Sequence, residues 1–147
     1  MNTASKHINL RLNMAKLLAS MSSCPRGQVG AVIFNPESNT VVSDGYNGPP
    51  RGAAGTLCGG HVCERKCASG TEIQIGCHHA EMNAICNAAR NGASTLGMSL
   101  AVTCEPCLMC AKLIHHAGIN KVYFESRGYS QGGIEYLAAN GVELERG

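Results

Sequence analysis

The second half of the chain does most to restrict its fold. "MSLAVTC" reads as a strand, "EPCLMCAKLIHHAG" as a helix and "NKVYFE" as a further strand, with short joins between them. That helix has Pro106 near its first turn and Gly118 just past its end, the usual asymmetry of helix termini. "GGIEYLAANG" adds another helix and "VELE" a short last strand. Strands that alternate with helices imply parallel crossovers, and crossovers lay helices against a sheet. Upstream, residues 7–22 put Ile8, Leu12, Ala15 and Ala19 on one side. Leu17, Leu18 and Met21 widen that stripe, so a helix is expected there. "QVGAVIFN" and "TVVSDGYNG" flank the turn-like "NPESN" and read as a hairpin. A helix from about His79 to Arg90 is closed by "NG" at 91–92. The order is α-β-β-α-β-α-β-α-β. The expected fold class is α/β, a three-layer α/β/α sandwich in one domain over 1–147, with a Cys/Gly-rich insert at about 48–77.

At 147 residues the chain can bury a core, and 44% apolar content is enough to drive folding. A net charge of +2 with 15% charged residues is too mild for a nucleic-acid footprint, so no nucleic-acid partner is expected. A small anionic substrate, which needs only one or two cations, remains open. No apolar run approaches the roughly 20 residues of a membrane span, and the N-terminus lacks the marks of a signal peptide. Nine cysteines, an odd number clustered with histidines, read as metal thiolates in a reducing, cytoplasmic compartment rather than as disulfides.

Two short pieces carry the chemistry: His79-Ala80-Glu81 and Pro106-Cys107-Leu108-Met109-Cys110. Each opens an expected helix. Cys107 and Cys110 are three apart and fall on one face of a helical turn. The positive end of the helix favours the thiolates that zinc requires. One His and two Cys make three ligands, and a catalytic zinc keeps its fourth position for water. Glu81, two residues after His79, can sit beside the metal without binding it and move protons. A closed zinc knuckle with Glu81 as a solvated acid would explain CxxC alone. It does not explain H-x-E followed by P-C-x-x-C at two helix starts, which is the signature of zinc nucleobase deaminases.

"CPRGQVGAVI", "GYNGPPRG", "HAEMNAICNAARNG", "VTCEPCLMCAKLI" and "AGINKVYF" occur in that order and cover nearly the whole chain. Together they resemble the cytidine/deoxycytidylate deaminase superfamily, and within it the deoxycytidylate deaminases. The resemblance implies a mixed five-stranded sheet flanked by helices, and hydrolysis of dCMP to dUMP and ammonia. It implies that His79, Cys107 and Cys110 hold zinc, that Glu81 shuttles protons and that the Ala80 N–H binds the pyrimidine O2. It implies a sugar contact from Asn47, which is preferred here to the alternative of a hairpin-end Asn explained by turn chemistry. Arg26, Tyr123 and Tyr129 are candidates for the 5′-phosphate. Gly45, Tyr46, Asn47, Gly48 and Arg90 resemble positions tied to activation by dCTP, with Mg²⁺, and inhibition by dTTP. For Arg90 a cation near a helix C-terminus is the alternative. The family commonly forms hexamers. Rival readings are a tRNA adenosine deaminase, another nucleobase or nucleoside deaminase, or a non-catalytic zinc-binding module.

Five further cysteines precede the second helix: Cys24, Cys58, Cys63, Cys67 and Cys77, with His61 and His78 among them. Some relatives carry a second, structural zinc, and four of these cysteines are expected to hold one. A metal would pin a loop otherwise unusually long for a compact domain.

Overall fold

The computed structural model describes residues 2–24, 26–49, 77–126 and 132–147. Helix α1 (Thr3–Ala19) starts where Asn2 caps it, its Oδ1 accepting from the Ser5 N–H at 2.8 Å. Leu12, Ala15 and Ala19 are buried on its inner side. Leu17 and Met21 are 72% and 64% exposed, so the wider stripe expected from the sequence does not form. Leu17 lies on the side of the helix opposite Leu12 and Ala15, and Met21 falls beyond the helix end.

Strands β1 (Gly30–Phe34) and β2 (Val41–Tyr46) form the expected antiparallel hairpin, with Gly30 opposite Tyr46 and a register shift between Ile33 and Phe34. Asn35 organises the turn between them, its Oδ1 accepting from the Glu37 and Ser38 N–H groups. Then follow α2 (Ala80–Arg90), β3 (Ser99–Cys104), α3 (Leu108–His116), β4 (Lys121–Ser126), α4 (Gly133–Ala139) and β5 (Glu143–Arg146). The sheet order is β2-β1-β3-β4-β5. β1 runs antiparallel to β2 and β3, whereas β3, β4 and β5 are parallel, so the sheet is mixed, as expected.

The two faces of the sheet carry different cores. Ala31, Ile33, Leu100, Val102, Val122 and Phe124 pack against Ala80 and Ala84 of α2, Ala111 and Ile114 of α3 and Leu137 of α4. Phe34, Ala101 and Tyr123 meet Leu12 of α1 on the opposite face. Three layers result. Burying one such aliphatic side chain stabilises by about 1.5–3 kcal/mol, so the larger cluster anchors α2 and α3 firmly to the sheet. Their N-termini are thereby held at the edge where β3 ends. The C-terminal edge of parallel strands is the usual place for a site in such sheets. Among the described residues no helix is long and apolar enough to cross a membrane.

Candidate active site

His79 is the N-cap of α2 (φ −71°, ψ 157°) and Cys107 the N-cap of α3 (φ −70°, ψ 169°). Cap positions ordinarily hold Ser, Thr, Asp or Asn, whose side chains satisfy the first N–H groups. Neither His79 nor Cys107 makes that bond. Both side chains turn to one spot between the helices. His79 Nδ1 lies 3.5 Å from Cys107 Sγ and 3.3 Å from Cys110 Sγ. One donor atom from each of the three residues falls within 4.8 Å of the others. Cys107 and Cys110 are almost fully buried. Because Cys107 stays extended, α3 begins one residue later and Pro106 precedes the cap instead of entering the first turn.

This donor set fits zinc: one imidazole nitrogen, two sulfurs, tight spacing and a position left over for a fourth ligand. The thiols are already poised as an unequal pair. The hydrogen bond from the Cys110 thiol holds Cys107 down at about 4. The same bond, helped by burial, pushes Cys110 well above the usual thiol range. Glu81 is only 3% exposed. Burial pushes its carboxyl above the ordinary range, against the pull of the His79 charge. A carboxyl raised in this way holds a proton more readily than an exposed one and can pass it on.

Other expected site residues are more dispersed. Ala80 packs its methyl into the core, while its N–H stands at the positive end of α2. Asn47 spends its side chain on the backbone, accepting from the Val29 N–H at 2.8 Å and donating to the Gly27 carbonyl at 2.8 Å. Arg26 is exposed on that same segment. Tyr123 packs with Leu12, Phe34 and Ala101 on the α1 face, away from α2 and α3, with Lys121 Nζ 4.9 Å from the centre of its ring. Gly45 is buried directly beneath α2. Arg90 is exposed in the last turn of α2, where a cation suits the dipole. Tyr129, Cys58, Cys63, Cys67 and His61 lie outside the described residues, as does most of the expected insert. Cys24 and Cys77 are half-buried.

Three further residues had no motif to mark them. The Cys104 thiol lies near Glu81 and Cys107, and burial above all raises its pKa. Asn83 and Asn87, one turn apart on α2, donate to the Tyr46 and Asp44 carbonyls of β2. They line a cleft of about 520 Å³ together with Asp44, Tyr46, Asn47 and Gly48. Their i, i+4 spacing was the available signal.

Residues 5–126 match the family described as the cytidine and deoxycytidylate deaminase zinc-binding region. Mouse deoxycytidylate deaminase is 44% identical over 117 residues, which cover 79% of this chain and 62% of that protein. The chain thus spans less than two thirds of that relative's length. The deoxycytidylate deaminase of Mycobacterium phage D29 is 35% identical over 122 residues, covering 77% of this chain and 89% of that one. Among solved structures, the dCMP deaminase of cyanophage S-TIM5 in complex with dCMP and dUMP superposes with a TM-score of 0.80 at 30% identity. That match covers 100% of this chain and 99% of that one. The paired helix starts, their buried His/Cys/Cys cluster and these matches lead to one conclusion: the chain belongs to the cytidine and deoxycytidylate deaminase family.

Proposed function

We propose that the protein hydrolyses dCMP to dUMP and ammonia, with His79, Cys107 and Cys110 as zinc ligands and Glu81 as proton carrier. The observation that carries this reading is the buried Glu81 carboxyl beside the three-donor cluster. It is supported by the full-length likeness to a dCMP deaminase solved with dCMP and dUMP. Zinc held by the cluster would supply the Lewis acidity that makes water nucleophilic at neutral pH. Glu81 accepts a proton from the attacking water and delivers it to N3 of the pyrimidine; it then takes the proton of the hydroxyl added at C4 and passes it to the 4-amino group, which departs as ammonia as the C4 carbonyl forms. The Ala80 N–H, at the positive end of α2, binds O2 and orients the ring. Water enters and ammonia leaves, so no other reactant is needed. The six free cysteines among the described residues suit a reducing, cytoplasmic setting.

Glu81→Gln tests the reading. It should keep zinc and fold while turnover falls by roughly 10²–10⁴-fold, the usual worth of a positioned acid–base group. Ammonia release at the wild-type rate would remove Glu81 from the mechanism. Turnover of tRNA adenosine or free cytidine in preference to dCMP would favour the rival substrates, and none at all a non-catalytic zinc module.

Two finer readings attach to the same scaffold. We infer a second, structural zinc held by four of Cys24, Cys58, Cys63, Cys67 and Cys77. Cys24 and Cys77 support it by flanking one joint. Cys24 N–H bonds to Ser22 Oγ, which donates to the Asn47 carbonyl, and Cys77 precedes His78, which pairs with Gly48. Two zinc atoms per chain, falling to one in Cys58→Ser with a lower melting temperature, is the expected result. We also infer that dCTP with Mg²⁺ activates, and dTTP inhibits, through the cleft beside Asp44–Gly48, whose volume suits a small ligand. Initial rates with and without each nucleotide test this. A homo-oligomer, a hexamer by family habit, would cover the exposed Leu10 and Leu17 of α1 and Met21 just beyond its end. Light scattering measures it.

A further inference from the structure

Helix α4 is short, and one of its ends bears on a zinc-ligand peptide. It runs for seven residues from Gly133. Gly132 caps it in a left-handed conformation (φ 84°) and offers the first turn no side-chain hydrogen bond. A helix of this length is marginal by itself, so its contacts decide where it lies. α3 and α4 both follow parallel strands, and they pack side by side. At the near end Gly133 is buried against the Pro106 and Cys107 carbonyls, so closely that a Cβ there would overlap the Pro106 oxygen. That peptide sets the direction of the Cys107 thiol. Further along, Leu137 is fully buried in the same core cluster as Ile114 of α3. Apolar burial is non-directional, so it resists separation of the helices better than it resists rotation. Among the described residues, the one hydrogen bond between side chains of the two helices joins His115 and Tyr136, both half-buried. His115 Nδ1 lies 3.3 Å from the Tyr136 hydroxyl. Their rings also meet edge to face, with centres 5.8 Å apart and planes at 70°. Tyr136 is three residues from Gly133 and on the same face of α4. His115 sits two turns along α3 from Cys107. Neither belongs to the three-donor cluster.

We propose that His115 and Tyr136 are a positioning pair for the zinc ligand Cys107. They fix the angle of α4 about Leu137. Gly133 thereby holds the Pro106-Cys107 peptide where Cys107 Sγ stays within reach of His79 Nδ1 and Cys110 Sγ. Without the pair α4 tilts, the peptide loosens and zinc leaves sooner. The inference rests on His79, Cys107 and Cys110 being zinc ligands, and not on the identity of the substrate.

The test follows zinc release from the zinc-loaded full-length protein to excess chelator, and the phase that Cys107→Ser removes marks this site. Tyr136→Phe keeps the ring and loses the hydroxyl, and it should speed that phase roughly 2- to 10-fold, the worth of one hydrogen bond. His115→Ala and Tyr136→Ala also lose the ring contact and should each speed it on the order of 10-fold or more. The double variant should be barely faster than either, because the two residues act through each other. Leu12→Ala, in the core on the α1 face, is the control. It should lower the melting temperature at least as much as Tyr136→Ala and still release zinc at the wild-type rate. Wild-type release from Tyr136→Phe and His115→Ala would overturn the proposal. So would additive effects of the pair, or an equal acceleration in Leu12→Ala, which would make the pair a general support of the fold. With dCMP, Tyr136→Ala should lose kcat with little change in KM, and the reverse would count against the pair. A wild type inactive on dCMP sinks the substrate reading and leaves zinc release to decide. A wild type without a Cys107-dependent phase would sink the ligand assignment and this inference with it.

Discussion

Gly45→Ala is the sharpest test of how the scaffold places the site. A Cβ at position 45 would lie 2.6 Å from the Ala84 nitrogen, 2.7 Å from the Ala80 oxygen and 3.0 Å from the Asn83 carbonyl carbon. All three are backbone atoms of α2, so no side chain can swing away. Ordinary contact needs about 3.4–4.0 Å, and α2 must therefore retreat from β2 by most of an ångström or more. Overpacking of this kind costs about 1–3 kcal/mol. The same interface holds the hydrogen bond from Ser43 Oγ to the Ala84 carbonyl at 2.7 Å, which the shift would stretch. Its loss adds about 1 kcal/mol. The sum of roughly 2–4 kcal/mol corresponds to a fall in melting temperature of about 5–15 °C for a chain of this size. Because α2 begins at Ala80, its retreat drags His79 and Glu81 out of register with Cys107 and Cys110. Zinc content and dCMP turnover should both fall. Gly48→Ala is the internal control for stability, since its Cβ would meet nothing nearer than a Tyr46 ring carbon at 4.0 Å. Thermal unfolding of the zinc-loaded proteins, with metal analysis, reads the outcome. If Gly45→Ala melts within about 2 °C of the wild type and keeps its zinc, the rigid contact between β2 and α2 is not what places the site.

Cys107→Ser should lower zinc content by about one atom per chain, because a three-ligand site tolerates no missing thiolate; unchanged metal content would remove Cys107 from the ligand set. Zinc uptake should release about one proton per chain near pH 7, since Cys107 is already a thiolate there while the raised Cys110 thiol must give up its proton. Affinity for zinc should accordingly rise with pH, and competition with a chelator at pH 6 and pH 8 would show it; a flat profile would refute the unequal thiol pair. Gly133→Ala should loosen the site from the far side. Its Cβ would lie 2.0 Å from the Pro106 oxygen and under 3.0 Å from the Cys107 carbonyl carbon, so α4 would press on the peptide that carries a ligand. Faster zinc loss to a chelator is expected, and wild-type kinetics of loss would count against that coupling.

The order of elements was legible because α2 and α3 start with chemistry, each expected helix after residue 79 stops with Gly or Asn, and β1 and β3 are short and apolar. The faces were harder to read. β4 buries Val122, Tyr123 and Phe124 in succession, so it shows no polar alternation to say which side Tyr123 joins. In the structure Tyr123 joins the cluster beneath α1. Leu17 and Met21 looked like core because their apolar character is all a sequence displays. α1, the one described helix on its face of the sheet, buries only Arg11, Leu12, Ala15 and Ala19.

The candidate ligands could be named from the sequence because zinc chemistry accepts few side chains and demands them at helix starts. The contacts that hold those ligands in place have no such signature, and the reason is physical. Asn47 bonds to the Gly27 and Val29 backbone, Ser43 to the Ala84 carbonyl, and Asn83 and Asn87 to the Tyr46 and Asp44 carbonyls. Every residue carries a backbone carbonyl and nearly every one an N–H, so the partner leaves no mark on the sequence. Only the donor does, as a Ser or Asn that turn propensity explains equally well. For the same reason a polar side chain in a "GYNG" stretch cannot be assigned to substrate or scaffold by its type. In Asn47 one lone pair and one N–H of the amide go to the backbone of residues 27–29, and an amide carries a second of each.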